Sequence, residues 1–378
     1  MILEQYKSGE LIKSPNSYKY FLPSNINEEW FWSDQKINNL LEKAAIKLGE
    51  LNSFSKLVPN IDLFIQLHIN KEAVISSRIE GTKTDIDESF LSESEIAPER
   101  KEDWKEVSNY TKAINQAIAE LKELPISSRL IKQTHKILLN SVRGQTKQPG
   151  EFRSSQNWIG GSSPSDAVFV PPSQEHVEEL MSDLEKFIHN DELNVPDLIK
   201  IAIIHYQFET IHPFLDGNGR IGRLLITLFL VDKEILTKPL LYLSSYFEEN
   251  KSLYYDNLTF VRTKNDMKQW LKYFLVGIAK TAEEAAKTLS KVLQLKSDLE
   301  KTINQDFGKK TSSANLLLNH LFEKPTLDVL EAKEITKMSY KAANDLVSDF
   351  VKSGILEEIT GQSRNRIFIF RQYAELFR

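Results

Sequence analysis

The segment from residue 212 to residue 223 constrains this chain more than any other stretch of its 378 residues. It reads His-Pro-Phe-Leu-Asp-Gly-Asn-Gly-Arg-Ile-Gly-Arg, so a titratable base, a carboxylate, a glycine-rich turn and two arginines follow one another closely. The apolar run after it predicts a buried helix, whose positive N-terminal end would face an anion held by the turn. These are the parts that a site for a nucleoside triphosphate needs.

The residue types in this segment divide into a base, a metal ligand and a phosphate cradle. His212 can accept a proton near neutral pH, and Asp216 offers a hard oxygen ligand for Mg²⁺. A glycine turn lets successive N–H groups point at one anion, and two arginines three residues apart on a helix can both reach phosphate oxygens. The residues of the predicted phosphate site are Gly217, Asn218, Gly219, Arg220, Ile221, Gly222 and Arg223.

Two other interpretations of this segment depend on its context. Gly217 to Gly222 satisfies the dinucleotide-binding pattern G-x-G-x-x-G, but that pattern requires a preceding β-strand. Residues 196–210 carry apolar side chains at helical spacing instead, which argues against it. His205, Glu209 and His212 fall at i, i+4 and i+7, as zinc ligands on one helix face would. Pro213 places the last of them beyond the helix end, so zinc is the weaker alternative.

The segment resembles the Fic family signature H-P-F-x-D/E-G-N-G-R-x-x-R and meets it at every fixed position. Ser76-Ser-Arg-Ile-Glu80-Gly81 resembles the S/T-x-x-x-E-G/N inhibitory helix of members whose inhibitor precedes the catalytic motif. Residues 150–172 resemble the family's flap. The resemblance extends from residue 20 to about residue 285.

The resemblance implies an enzyme that moves AMP from ATP to a Ser, Thr or Tyr hydroxyl of a target protein, with this chain itself as one acceptor. His212 would take the proton of the hydroxyl, and Asp216 would hold Mg²⁺ between the α and β phosphates. Arg223 would bind the γ phosphate. Glu80, with Ser76 and Gly81 in the same motif, would pair with Arg223 and keep the free enzyme nearly silent.

Two further sets of site residues follow from the resemblance. The adenine would lie near the pair Tyr254-Tyr255, whose aromatic faces suit a purine; two core tyrosines on an amphipathic helix are the alternative. The flap strand would pair with an extended target segment and present its hydroxyl to His212. The residues of that strand are Asp166, Ala167, Val168, Phe169 and Val170.

The predicted fold is mainly α: a Fic-type helical core with a β-hairpin flap, followed by a winged helix-turn-helix-like domain. We expect an N-terminal helical region at 1–100, a catalytic core at 101–290 and a C-terminal domain at 291–378. Apolar spacing predicts these helices: one capped by Asp34 with apolar positions from Ile37 to Leu48, then 61–80, 101–122, 127–141, 174–190, 196–211, 219–233, 251–260 and 266–305.

The end of the chain has a different pattern from the core. Helices are expected at 313–322, 330–335 and 340–353, followed by two strands around a turn that begins at Gly361, which resembles a winged helix-turn-helix. DNA binding is the functional interpretation of such a domain. Residues 311–378 carry nine basic and nine acidic side chains, however, so the positive footprint of a DNA-binding surface is missing. The balance favours a packing or protein-contact role.

Composition and charge limit the expected binding partners and cellular location of the protein. The net charge of −5 gives no global bias toward nucleic acid or anionic membrane, and the absence of cysteine suits a reducing compartment. The N-terminus lacks the pattern of a signal peptide, and the longest apolar run, 224–231, is too short to span a bilayer. We therefore expect a cytoplasmic protein without a membrane partner; a homodimer stays open.

Other functions remain open from the sequence. Some relatives use the inhibitory glutamate to remove AMP, and others transfer a different phosphate-containing group with the donor turned around. A third alternative is a transcriptional regulator whose Fic domain only senses a nucleotide. The intact His212 argues against a sensor, because a sensor needs no base.

Overall fold

The computed structural model describes residues 1–57, 61–140, 142–361 and 366–377, and the part of the chain that it describes is mainly helical. Each long helix predicted from apolar spacing is present, and α8 was not predicted. The helices are α1 (Gln35–Leu57), α2 (Asp62–Ile79), α3 (Lys101–Glu120), α4 (Ser128–Leu138), α5 (Val177–His189), α6 (Asp197–Ile211), α7 (Asn218–Asp232), α8 (Ser244–Glu249), α9 (Lys251–Lys264), α10 (Met267–Asp306), α11 (Thr311–Glu323), α12 (Val329–Thr336), α13 (Tyr340–Lys352) and α14 (Arg371–Ala374).

Helix α6 is the centre of the core. Pro196 precedes it, where a missing N–H costs nothing, and the helix is buried on every side from Leu198 to Ile211. A helix that is apolar all round has to be surrounded by others, and α5, α7 and α10 pack against it. Trp270 of α10 donates its indole N–H to the Ala202 carbonyl at 2.8 Å. The residue that follows α6, His212, is thereby attached to a helix that is buried along its length.

Two short strands that the sequence analysis missed form a hairpin near the N-terminus. Strands β1 (Gly9–Lys13) and β2 (Lys19–Pro23) are antiparallel. The Phe21 amide donates to the carbonyl of Val170 at 2.9 Å, so the hairpin lies beside the flap region.

The predicted flap hairpin is only partly formed as a β-structure, which corrects the expected strand at 166–170. A single antiparallel bridge joins Ile159 to Phe169. Gly160 and Gly161 follow at once with φ of 68° and 72°, a left-handed conformation that ends an extended strand. Asp166 lies in the turn, where its carboxylate accepts the backbone N–H groups of residues 162 and 163.

The C-terminal unit combines α11 to α14 with a small antiparallel sheet. Strands β3 (Thr326–Asp328), β4 (Glu357–Glu358) and β5 (Ile367–Ile369) pair in the order β3-β5-β4. Strand β3 was not predicted, and the expected turn after Gly361 falls largely on positions outside the described residues. The helices agree with the predicted ones, whereas the relationship to winged-helix domains stays a prediction.

This C-terminal unit packs on α2. The rings of Phe64 and Phe322 meet edge to face at 5.5 Å, and those of His68 and Phe377 at 4.9 Å. None of the helices in the described parts of the chain has both the length and the apolar character needed to cross a membrane.

Candidate functional site

His212 is placed where a base can act. It follows the last turn of α6 with φ of 51°, a left-handed conformation uncommon for a residue with a side chain. Its carbonyl accepts hydrogen bonds from Arg153 Nε at 3.0 Å and Asn157 Nδ2 at 3.2 Å, which hold the turn. Its Nδ1 lies 3.4 Å from the Glu209 carbonyl oxygen, an arrangement that leaves Nε2 as the proton acceptor.

The electrostatic surroundings keep this imidazole neutral. Burial, together with the positive charges of Arg262 and Arg153, lowers the pKa of His212 to about 4. At neutral pH the ring therefore carries no proton on its acceptor nitrogen and is competent as a base.

The turn between α6 and α7 is closed by the side chain of Asn218. Its Oδ1 accepts the Phe214 N–H and its Nδ2 donates to the Phe214 carbonyl, both at 2.8 Å. Gly217 has φ of 76°, which favours glycine. Helix α7 begins at Asn218, so its first N–H groups, which have no partner within the helix, lie at this turn. The sequence predicts an anion at this turn, and the free N–H groups of a helix start are what such a site would need; anion binding here stays a prediction.

His135 of α4 supports the turn and was missed by the sequence analysis. Its Nε2 donates to the Asp216 carbonyl and its Nδ1 accepts the Gly150 N–H, each at 2.9 Å. Its ring stacks on Phe214 with 3.7 Å between centroids. Burial lowers the pKa of His135 to about 4, consistent with a neutral ring that both donates and accepts.

Arg220 is held by acidic partners on both sides. Its side chain is buried; Nη1 donates to Glu106 Oε2 at 3.1 Å, and Nη2 lies 3.6 Å from Asp216 Oδ1. Glu106, on α3, carries no motif that would have revealed it. The Tyr110 hydroxyl donates to the Arg220 carbonyl at 3.1 Å, so α3 fixes the first turn of α7.

Arg223 is occupied by the end of α2. Its Nη2 donates to Glu80 Oε1 at 2.7 Å and to the Ser76 carbonyl at 2.9 Å, while Nε donates to Ser76 Oγ at 2.8 Å. Burial alone would raise the pKa of Glu80, but Arg223 outweighs it and holds the pKa below its usual value. The predicted Ser76–Glu80–Arg223 constellation is thus present, and Gly81 ends the segment with φ of 106°.

Two carboxylates approach the face of α7 that carries Gly219 and Gly222. A Cβ at Gly219 would lie 2.3 Å from Glu80 Oε1, and one at Gly222 would lie 2.3 Å from Glu209 Oε1. Only glycine leaves room for either contact. Burial raises the pKa of Glu209 to about 7, and its buried Oε1 has no hydrogen-bond partner among the described residues.

Comparisons with known proteins agree with this geometry. Residues 38–119 match the model of the Fic/DOC family N-terminal domain, and residues 125–230 match the model of the Fic/DOC family itself. The chain belongs to the Fic/DOC family. Both halves of the Arg223–Glu80 pair lie within the matched ranges.

The Fic relatives of this chain are distant. It is 29% identical over 177 residues to a probable protein adenylyltransferase of Aquifex aeolicus, covering 47% of this chain and 52% of that protein. It is 32% identical over 121 residues to the protein adenylyltransferase Fic of Drosophila grimshawi, covering 32% of this chain and 23% of that one. The chain thus spans about half or less of the length of these curated relatives.

Solved Fic structures share the fold. A Fic family protein from Desulfovibrio desulfuricans superposes with a TM-score of 0.56 at 19% identity, covering 91% of this chain and 98% of that one. A Fic domain containing signaling protein from Bacteroides thetaiotaomicron gives 0.51 at 20% identity, over 68% and 97%. At this identity the likeness establishes the fold alone.

The tyrosine pair of this Fic protein is divided between core and surface. Tyr254 is buried; its hydroxyl lies 2.9 Å from His205 Nε2, and its ring stacks on Phe247 at 4.4 Å. Tyr255 is 41% exposed. A role for the pair in adenine binding stays a prediction, and of the two side chains only Tyr255 has an open ring face.

His205 has a structural role. Its Nδ1 lies 2.9 Å from the Gly222 carbonyl oxygen, which complements the Tyr254 contact of Nε2, so both ring nitrogens have protein partners. The described part of the chain contains no cluster of three or more His, Cys, Asp or Glu side chains suited to a metal. The zinc alternative therefore receives no support.

Asp216 fits the requirements of a magnesium ligand. Its side chain is 42% exposed, and Oδ1 accepts the Gly217 N–H at 2.6 Å, so the carboxylate is oriented at the edge of the anion-binding turn. Mg²⁺ commonly takes one or two carboxylates and completes its shell with substrate phosphates and water. A single protein carboxylate at this position is compatible with that chemistry.

Proposed function

We propose that this chain is a protein adenylyltransferase that moves AMP from ATP to a Ser, Thr or Tyr hydroxyl. The observation that carries the proposal is the position of a neutral His212 directly before an anion-binding helix start with two arginines. The relatives named protein adenylyltransferase support the same reaction class.

The reaction follows from the placement of the groups. His212 Nε2 takes the proton of the target hydroxyl, and the hydroxyl oxygen forms a bond to the α-phosphorus. The bond from that phosphorus to the bridging oxygen breaks, and pyrophosphate leaves. The N–H groups at the start of α7 and the two arginines stabilise the charge on the phosphates. Asp216 would hold Mg²⁺, which would supply positive charge to the phosphates.

We propose further that Glu80 inhibits the free enzyme. The guanidinium of Arg223 already has Glu80 and Ser76 as partners, so a γ phosphate would have to displace a charge-assisted hydrogen bond. Glu80 belongs to the end of α2, where Lys251 Nζ donates to the Ile79 carbonyl at 2.8 Å and keeps the inhibitor in place. Release of this end would expose Arg223 to ATP.

The target would bind along the flap, residues 157–170. Val168 is 81% exposed and Trp158 is 41% exposed, so the flap presents apolar side chains to solvent beside the edge that would receive a target strand. Strand addition at such an edge recognises mainly the backbone of a partner. Because backbone recognition requires little of the partner's side chains, a second copy of this chain could also serve as a target.

Incubation with ATP labelled at the α or γ position tests the proposal, with Glu80→Gly as the active form and His212→Ala as the matched inactive control. We expect label on protein from α-labelled ATP only. Label from γ-labelled ATP alone would indicate a kinase, and no label from either position with the active form would contradict the proposal.

The regulator alternative receives less support from the C-terminal unit. Several basic side chains there are paired with acidic ones: Lys324 with Glu331 at 2.6 Å, and Arg371 with Glu357 at 3.1 Å. Charges that neutralise one another offer few contacts to DNA phosphates. Salt-sensitive nanomolar binding of duplex DNA in a gel-shift titration would reverse this judgement.

A further inference from the structure

Arg262, on α9, joins three parts of the molecule that the sequence places far apart. Its Nη2 donates to the Glu209 carbonyl at 3.1 Å and its Nε donates to Thr210 Oγ1 at 3.2 Å, so it binds the last turn of α6. The centre of its guanidinium lies 3.8 Å from the centroid of the Phe169 ring in the flap. Arg262 therefore bridges the helix that ends at His212 and the flap.

The flap end of this bridge contacts a second aromatic ring. The Phe169 ring also faces the Phe21 ring of β2, with 6.2 Å between centroids, and the Phe169 carbonyl accepts the Ile159 N–H at 2.8 Å. A guanidinium over the face of an aromatic ring is attracted by the electrons of that ring. The residue whose ring Arg262 contacts is thus the same one that forms the backbone bridge between the two arms of the flap.

We infer that Arg262 is a positioning residue that fixes the flap to the end of α6, so that a hydroxyl bound along the flap meets His212 at a constant distance. The inference rests on the proposed function, since it assumes that the flap binds the acceptor. Arginine is needed because its guanidinium is planar. The N–H groups at the edge of the guanidinium donate to α6, while its flat face stacks on the Phe169 ring. Lysine keeps the charge but cannot make both contacts.

A second consequence separates Arg262 from an ordinary structural residue. The groups that act on the His212 imidazole are Arg262, Arg153 and Glu80, besides burial and the Glu209 carbonyl. The positive charge of Arg262 disfavours the protonated ring. Removing that charge should raise the pKa of His212, whereas loss of the bridge alone should not.

The test compares Arg262→Lys and Arg262→Gln in the Glu80→Gly background, with Lys264→Gln on the same helix as the matched control. A His212→Ala chain serves as acceptor, with α-labelled ATP as donor. For Arg262→Lys we expect the KM for the acceptor to rise about fivefold, the equivalent of one lost hydrogen bond, while the KM for ATP stays constant. Arg262→Gln should show the same rise and also move the acid limb of kcat to higher pH.

Two measurements that need no catalysis accompany the kinetics. Hydrogen exchange of peptides from 157–170 should be about fivefold faster in both Arg262 variants than in the control. In an imidazole NMR titration, with His212→Ala to assign the signal, His212 should titrate at higher pH in Arg262→Gln only. Flap exchange and acceptor KM equal to those of the control would overturn the inference.

These readouts also separate the inference from the proposed function. If the Glu80→Gly reference transfers no AMP, the proposed activity fails, and with it the kinetic role of Arg262. Unchanged exchange and titration alongside normal AMP transfer would remove only the inference.

Discussion

The two ends of α2 contact different parts of the molecule, and only one of these contacts is encoded in a local motif. At its C-terminal end, Ser76 and Glu80 hold Arg223 through charged hydrogen bonds, and the Glu80 side chain is still 35% exposed. Its N-terminal half packs through Phe64 against Phe322, and both of these rings are fully buried. The Glu80 carboxylate stays partly in water and can be replaced by a phosphate at the buried Arg223, whereas buried apolar packing has no such substitute. We therefore expect one end to control activity and the other to control stability.

The largest effect should come from His212, the proposed base. His212→Ala in the Glu80→Gly background should reduce AMP transfer by about 10²- to 10⁴-fold, because the hydroxyl loses its proton acceptor. ATP binding, measured by calorimetry, should stay close to that of the parent, since the imidazole acts on the nucleophile. Asp216→Ala should instead weaken Mg²⁺-dependent nucleotide binding. Equal transfer by parent and His212→Ala would remove the assigned role.

The N-terminal half of α2, which packs through Phe64 against Phe322, should give the next largest effect. That effect should be on the free energy of unfolding and not on activity. Phe322→Ala removes a buried ring from α2 and should lower the free energy of unfolding by about 3 to 5 kcal/mol. Transfer by the folded protein should change less than about twofold, because Ser76 and Glu80 keep their bonds to Arg223. Denaturant unfolding and α-labelled ATP measure the two quantities. A many-fold rise in transfer would show that the two ends are coupled.

At the inhibitory end, Glu80→Gly should raise self-modification by about tenfold to a hundredfold, which corresponds to one charge-assisted hydrogen bond. Arg223→Ala should not reproduce the activation, because it removes the phosphate ligand together with the partner of the inhibitor. The double variant should resemble Arg223→Ala alone, as expected for residues in one contact. The unfolding midpoint of Glu80→Gly should move little, since helix α2 already ends at Ile79.

The sequence predicted the part of the site that consecutive residues build. Helix α6, its end just before Pro213, the glycine turn and the start of α7 follow from apolar spacing and from glycine and proline positions, whereas the left-handed conformation of His212 was not predicted. The Glu80–Arg223 contact was predicted from two motifs of the family, because the family resemblance supplies a long-range pairing that the local sequence does not contain. Nothing in local spacing could have joined residues so far apart.

The residues that were missed touch the motif only in three dimensions. Glu106, His135 and Arg262 come from α3, α4 and α9, and none lies in a pattern that marks it. Their roles depend on burial and on helix packing, which set the charge partners of each group. The flap strand was overestimated because two left-handed glycines, Gly160 and Gly161, end the opposite arm just after Ile159, so that only one bridge forms to Phe169.

The smallest effect concerns the pH dependence of the reaction. It distinguishes the titration of His212 from that of Glu209. His212, with its pKa lowered to about 4, should leave kcat of Glu80→Gly nearly constant between about pH 6 and about pH 8. Burial, with a smaller contribution from the charge of Glu80, raises the pKa of Glu209 to about 7, and burial keeps acting in the direction of a raised pKa when Glu80 is replaced. The ionised Glu209 carboxylate offsets the positive charge of Arg223 and repels a phosphate. Protonation of Glu209 toward pH 6 should therefore favour the binding of ATP.

We therefore expect the KM for ATP to fall about twofold to threefold from about pH 8 to about pH 6, without a matching change in kcat. Glu209→Gln, which mimics the protonated side chain beside Gly222, should abolish this dependence and keep the lower KM throughout. Steady-state transfer from α-labelled ATP to a His212→Ala acceptor measures both constants. A KM that varies equally in Glu209→Gln would assign the titration to ATP or to another group, and Glu209 would then be only a packing partner of the glycine face of α7.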